Sequence, residues 1–489
     1  MEYYQLGGFE PAVFSSRWPP LAEKVYRPLQ RLQNPNGPNI ELVLGIKRSG
    51  TSHLLLTDVE RHRLFQERNI DLRRSQHAPP TPAREFESLS PIVFRDVSEL
   101  SAKLAELQPK NEWDKNDTSR LNKGYSGGNQ GAMRAQFENS RVFYRLLRNE
   151  LKKERFCCEP WSGSIRVLSF CYNLWLLDSR SLEDRRRSPR ILDLAWCEAE
   201  NGFADGGEKQ PLEGDMKTSE HIVFANNQRL TNPGKARWND KKTPPSSERQ
   251  RYEYDEYGAT QTCDPQAAAE KVRTFFGTAT QPARGPLVLL VHDKANALAV
   301  LTSLGVDVSR WDSELKNLIR VQQTAEPRRD SRDPRRPYHD SRGSGRDFRR
   351  SYGGDSRRRS ASPGPHDPSR RKVSPPPPPP PPRQFAPVYI VDVQSMFRTM
   401  LGTHDDSESV PAIIERLMLR DVPPKGFCAG NECWMLVETF RRMAAGRPID
   451  DQKADWPHPP FMAPLTTSGN ADYPGAEEEQ SDYAGSDSE

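Results

Sequence analysis

This chain has little to bury. Hydrophobic residues make up 34% of its 489 positions, against roughly 45–50% in typical globular chains. One packed region with long unpacked extensions is expected, not a core running the whole length. No apolar run approaches the ~20 residues that a membrane helix needs, so no membrane association is expected. The opening MEYYQLGGFEP lacks an apolar leader segment, so no secretory signal is expected either. Cysteine is sparse, with seven in all, and Cys428 and Cys433 stand five apart without a second pair. Zinc modules of the CxxC type need two such pairs, so no metal site is read here. Reduced thiols then place the protein in the cytoplasm, the nucleus or both. Net charge is also low, at +4, but it is unevenly spread.

What the chain does have is concentrated in a few stretches. Leu287 to Val291 is a continuous apolar run with two valines, as in a strand buried on both faces. His292 and Asp293 end it. From Ala295, Leu298, Leu301 and Leu304 recur at helical spacing, and Gly305 supplies the stop. A buried strand feeding a helix is half of an α/β unit, and such folds place their chemistry at the strand's C-terminal end.

Around this unit the pattern predicts further elements. Residues 165–177, 191–197 and 221–230 read as three strands, the first two as an antiparallel hairpin. Residues 267–276 read as a helix with Asp264 as its N-cap. Residues 388–393 (VYIVDV) read as another strand, and residues 410–419 and 431–445 as helices. Residues 133–156 form an earlier helix with Phe137, Val142, Leu146, Leu147 and Leu151 in one stripe. Further upstream, residues 41–58 read as a hairpin turning at Arg48-Ser49-Gly50. Gly45 and Gly50 share the spacing of a phosphate loop, but Thr51 stands where its lysine is required. Residues 59–67 and 97–107 read as short helices. The fold class expected is α/β, a mixed sheet of three antiparallel strands followed by parallel strands, flanked by helices.

The order and spacing of several motifs resemble the ribonuclease H-like domains of DEDDh-type 3′–5′ exonucleases. More narrowly, they resemble the fungal exonuclease-related group that includes the mRNA-export suppressor Gfd. The stretches that carry the resemblance are 221–232, 257–276, 290–307, Val391-Asp392-Val393-Gln394 and Ala429-Gly430-Asn431-Glu432. It implies a domain in two parts, residues 131–321 and 387–447. The remainder is expected as a largely disordered extension with at most a small hairpin (1–130), a disordered Arg/Ser/Pro-rich insert (322–386) and a disordered acidic tail (448–489).

The family's chemistry uses two divalent metals that clamp the attacking and leaving oxygens of a phosphodiester. Such hard cations need several carboxylates. The positions matching the family site are Cys171, Asn173, Ala297, Phe427 and Glu432. Only Glu432 is a carboxylate, and Phe427 cannot take a proton. The resemblance therefore implies a nuclease fold without nuclease chemistry and without a cofactor. In the alternative, a divergent Mg²⁺-dependent 3′–5′ exonuclease, Asp193, Asp293 and Asp392 substitute. A capping or structural role for Asp392 is the simpler expectation.

The insert points to nucleic acid. Residues 327–373 hold 15 Lys/Arg and 6 Asp/Glu, a local +9. Arg328, Arg329, Arg335, Arg336, Arg349, Arg350, Arg357, Arg358 and Arg359 are placed to neutralise phosphates. The interleaved Tyr338, Phe348 and Tyr352 are placed to stack on unpaired bases. RNA or another single-stranded nucleic acid is the expected partner. Pro375 to Pro382 is a polyproline run, either a stiff spacer or a ligand for an SH3- or WW-type domain. Against these stands a third reading, a protein-interaction scaffold that touches no nucleic acid.

Overall fold

The computed structural model describes residues 1–6, 29–34, 37–65, 80–105, 130–152, 155–156, 165–199, 219–230, 258–320, 385–401, 408–419 and 428–455. Its first half contains β1 (Glu2–Gln5), β2 (Ile40–Lys47), β3 (Ser52–Leu56), α1 (Asp58–Phe65), β4 (Thr81–Pro82), β5 (Phe86–Phe94), α2 (Val97–Ala105) and α3 (Gln130–Leu147). The second contains β6 (Arg166–Leu174), α4 (Leu182–Arg187), β7 (Ile191–Ala199), β8 (Ser219–Phe224), β9 (Gly258–Cys263), α5 (Pro265–Ala279), β10 (Leu287–Val291), α6 (Lys294–Ser303), α7 (Lys316–Ile319), β11 (Val388–Asp392), α8 (Val393–Leu401), α9 (Val410–Arg416), α10 (Ala429–Ala444) and α11 (Ile449–Asp455).

Two sheets result. The smaller is antiparallel, in the order β4-β1-β3-β2-β5. The larger runs β11-β10-β6-β7-β8-β9. In it β7 runs antiparallel to both β6 and β8, β10 and β11 continue parallel to β6, and β9 pairs parallel with β8. The chain is thus α/β, with mixed sheets flanked by helices. β10 explains its own composition. Val288 and Leu290 enter the core on one face of the large sheet, and Leu287, Leu289 and Val291 enter the core on the other. A strand with two buried faces has no position for a polar residue.

α3 lies between the two sheets. Its Phe137, Phe143 and Tyr144 join the core under the large sheet, and Val142 and Leu146 join the core of the small one. Arg134 donates to the carbonyl of Gly50 in the β2–β3 turn, to Ser52 and to both oxygens of Asp450. α5 and α6 cover the opposite face of the large sheet. Asp264 caps α5 as the sequence predicts, accepting from the N–H groups of Gln266 and Ala267 at 3.0 Å. Gly305 ends the α6 unit at φ +82°, a conformation that costs glycine little.

Residues 1–130 hold more than the small hairpin expected there. The hairpin is present as β2 and β3, but β1, β4 and β5 extend it to five strands. β5 carries Pro91 in mid-strand, which argues against a strand on sequence grounds. It is tolerated because β5 is the edge, where one side of the backbone has no ladder to supply. α3 also stops at Leu147, short of residue 156. Asn149 adopts φ 54°, and an αL residue terminates a helix.

One glycine marks a close approach. A Cβ on Gly131, in the first turn of α3, would sit 2.5 Å from the Gly50 nitrogen and 2.6 Å from the Arg48 carbonyl oxygen. Both are backbone atoms and cannot step aside. Gly131→Ala is expected to lower the thermal midpoint by several degrees, despite alanine's gain of about 1 kcal/mol in helix propensity. Gly277→Ala, in α5, has nothing within 4 Å of its Cβ and should raise the midpoint in the same calorimetric series.

Candidate functional site

Alternation along β6 sends Cys171 and Asn173 to the face beneath α10. Both are buried, Cys171 among the apolar side chains that α10 presses onto the sheet. Burial pushes the Cys171 thiol well up, and a hydrogen bond with Cys433 on α10 pushes it further. Asn173 pairs in register with Asp193 of β7. Glu432, in the first turn of α10, is buried, and with Asp193 it adds to the Cys171 shift. Four of the sequence-selected positions, Cys171, Asn173, Asp193 and Glu432, thus gather under the start of α10. Ala297 does not join them. It packs in the core on the opposite face of the sheet. Phe427, the nine arginines of the insert and Pro375–Pro382 lie outside the described residues.

This set does not fit a pair of hard divalent cations. Of the positions matching the family site, Cys171, Asn173 and Ala297 offer no anionic oxygen, which leaves Glu432 with Asp193 as the one candidate substitute beside it. The other two candidate substitutes are engaged elsewhere. Asp293 caps α6, accepting from the N–H of Asn296 at 3.0 Å. Asp392 accepts from the N–H of Lys294 at 3.2 Å and of Ser395 at 2.7 Å, which ties the start of α6 to the start of α8. Burial raises the Asp392 carboxyl above its ordinary range against the pull of those two bonds. Both acids therefore sit at the C-terminal edge of the parallel strands, on helix N-termini where a carboxylate is favoured.

The residues that the structure does bring together include His221, which the sequence reading did not single out, and Cys428, which it weighed only as a pair with Cys433. Among the described residues, Asp193, His221 and Cys428 place their donor atoms within 4.8 Å of one another, all buried. His221 Nε2 is 3.0 Å from Asp193 Oδ2, and its Nδ1 is 3.0 Å from Thr260 Oγ1 on β9. The same Asp193 oxygen accepts from the N–H of Ala429 at 3.0 Å. The carboxylate thereby caps α10 while it holds the imidazole. Burial works to lower the His221 pKa. The hydrogen bonds to Asp193 and Cys428, with the charges of both, outweigh it and push the value up to about 10.

The position of the sulfur decides what this cluster is. Cys428 Sγ lies 3.8 Å from Nδ1 and 3.7 Å from Nε2. A metal on either nitrogen would lie in the ring plane beyond it, and its sulfur ligand would be clearly nearer to that nitrogen. Equal distances set the sulfur beside neither lone pair, and both nitrogens already have oxygen partners. A ring whose two nitrogens are both hydrogen-bonded to oxygens has no lone pair free for a metal in this arrangement. The cluster is a hydrogen-bonded clasp between β7, β8, β9 and α10. Its one sequence signal was a buried histidine on β8 just ahead of the apolar run Ile222-Val223-Phe224. The partner Cys428 is 207 residues away, beyond any local pattern. No family model and no curated protein matches this chain.

Proposed function

We propose that residues 131–321 and 387–447 form a ribonuclease H-like module that holds single-stranded nucleic acid, RNA first, without cleaving it. The strand order supports the fold. β6, β7 and β8 are antiparallel, and β10 and β11 add parallel strands on the far side of β6, as the resemblance implies. The observation that carries the non-catalytic reading is the content of the β6 face beneath α10. Cys171 and Asn173 occupy the two places where paired carboxylates would have to stand, and Ala297 is a core methyl. Binding is assigned to the arginines of the 327–373 insert, whose local charge of +9 exceeds what a spacer needs.

The test is one set of reactions with end-labelled single-stranded RNA, Mg²⁺ or Mn²⁺ and a salt series. The expected result is no shortening of the RNA and binding that weakens steeply with salt. Replacing Arg349, Arg350, Arg357, Arg358 and Arg359 by glutamine should reduce the slope of log K against log salt by up to about 3.5, roughly 0.7 for each phosphate no longer neutralised. Metal-dependent 3′ trimming that disappears in Glu432→Ala would establish the exonuclease alternative. Absence of RNA binding at low salt would leave the scaffold reading.

A further inference from the structure

A cavity of about 440 Å³ opens far from α10, among the end of α5, the segment after α6 and the entry to β11. Four of its side chains are of the kinds that recognise a nucleotide. Arg273 and Arg310 are exposed cations. Trp311 is half-buried, and Phe385 is 54% exposed. These groups are already arranged by one another. The Arg310 guanidinium stands over the Phe385 ring, 5.8 Å from its centroid. Trp311 rests on the buried Phe276, with centroids 5.6 Å apart, so its indole is braced from below. The Arg273 stem lies over the tight turn at Gly305. The one acid at the rim, Asp307, is already engaged by the N–H and hydroxyl of Ser309.

We propose that this cavity takes one unpaired nucleotide of a single-stranded RNA, with its base stacked on Trp311 or Phe385 and its phosphate on Arg273 and Arg310. Every base has a π-face, so such a site is tolerant of sequence, and a guanidinium fork matches phosphate oxygens. The volume is in the range of ligand pockets that enclose a small molecule. The chain's own course favours a strand over a free mononucleotide. The Arg-rich insert returns to the fold at Phe385, a residue of the cavity wall. Arg383 stands two positions before Phe385, so the basic insert and this rim are continuous in sequence. The inference rests on the RNA-binding reading above and deepens it, by assigning a second, folded contact.

Gly277 allows a test that spares the fold. It lines the cavity on an exposed helical position, and a side chain added there meets nothing within 4 Å. Gly277→Leu should fill the cavity while leaving the thermal midpoint unchanged or raised. The measurement is fluorescence anisotropy of the full chain with a labelled 12-nucleotide oligouridine, for wild type, Gly277→Leu, Arg310→Gln and Trp311→Ala. Each variant is expected to bind on the order of tenfold more weakly. Photocrosslinking with a 4-thiouridine probe should mark Trp311 or Phe385 and lose that mark in Gly277→Leu. Wild-type binding that all three variants retain would overturn the cavity while leaving RNA binding by the insert intact. No binding by any form would instead overturn the parent reading. Cavity-dependent binding of UMP with wild-type affinity would overturn the choice of a strand. Cavity-dependent binding of a synthetic peptide of residues 371–384 in place of RNA would overturn the choice of nucleic acid.

Discussion

Glu138→Ala is expected to destabilise the protein by about 3–5 kcal/mol, the range for removing one partner of a buried ion pair. Glu138 and Arg141 sit one turn apart on α3 and are 0% and 1% exposed. Glu138 Oε2 accepts from Arg141 Nη1 and from the Ser90 hydroxyl of β5, and Oε1 accepts from the N–H of Ile449 at 2.7 Å. Arg141 donates in turn to the Gly446 carbonyl at 3.0 Å and the Pro91 carbonyl at 3.4 Å. One carboxylate therefore joins the small sheet, α3 and the start of α11. Without it a guanidinium remains buried with carbonyls alone, and the Ile449 N–H loses its acceptor. Urea unfolding followed by circular dichroism should show the midpoint falling by roughly 1 M or more. The double variant Glu138→Leu/Arg141→Met removes both charges and keeps most of the volume. It should recover much of the loss, because the cost lies in the stranded charge and not in the absence of the pair. A loss below about 1 kcal/mol for Glu138→Ala would show that water reaches the pair.

The contrast between α3 and β10 shows which physics the sequence exposes. A strand buried on both faces must be apolar at every position, so β10 was visible as Leu287 to Val291. Caps are equally local, and Asp264 and Gly305 could be read from their neighbours alone. α3 was recognised as a helix from its apolar stripe, but its buried Arg134, Glu138 and Arg141 looked like any solvated face. Burial of a charge depends on partners such as Asp450 and Ser90, which are hundreds or tens of residues distant. β9 had no signal at all. Its residues Gly258 to Cys263 are mostly exposed, and it exists because β8 offers an edge to pair with. At the candidate site the identities at Cys171, Asn173 and Ala297 could be read from sequence through the resemblance. The convergence of Asp193 with His221 and Cys428 could not, because a strand register and a helix N-terminus have to be placed first.

That convergence sets the second large effect, which depends on pH. His221 has an ordinary pKa near 6.5 and is raised to about 10 in the folded chain. A group whose folded pKa is raised binds its proton more tightly when folded, so its contribution is fully present below about pH 6.5. It fades as pH rises from 6.5 through 10, at up to about 1.4 kcal/mol per pH unit, for a total on the order of a few kcal/mol. The groups facing the ring are the Asp193 carboxylate from β7, the Cys428 sulfur at the start of α10 and the neutral Thr260 hydroxyl on β9. Raising the pH from 6.5 to 9.5 is therefore expected to lower the thermal midpoint of the wild type. His221→Gln should be strongly destabilised at pH 6.5 and far closer to wild type at pH 9.5, with a nearly flat midpoint across that window. Cys428→Ser replaces the sulfur beside the ring and should keep most of the fall, because the bond to Asp193 survives. A His221→Gln variant whose midpoint declines as steeply as wild type would refute the clasp. The charge on His221 acts on α10 through Asp193. The carboxylate that it holds in place also caps the helix carrying Glu432, so deprotonation should loosen that helix's first turn before the sheet beneath it. Amide exchange at Ala429 to Glu432, measured at pH 6.5 and 9 and corrected for intrinsic rate, should lose protection earlier than the β10 amides.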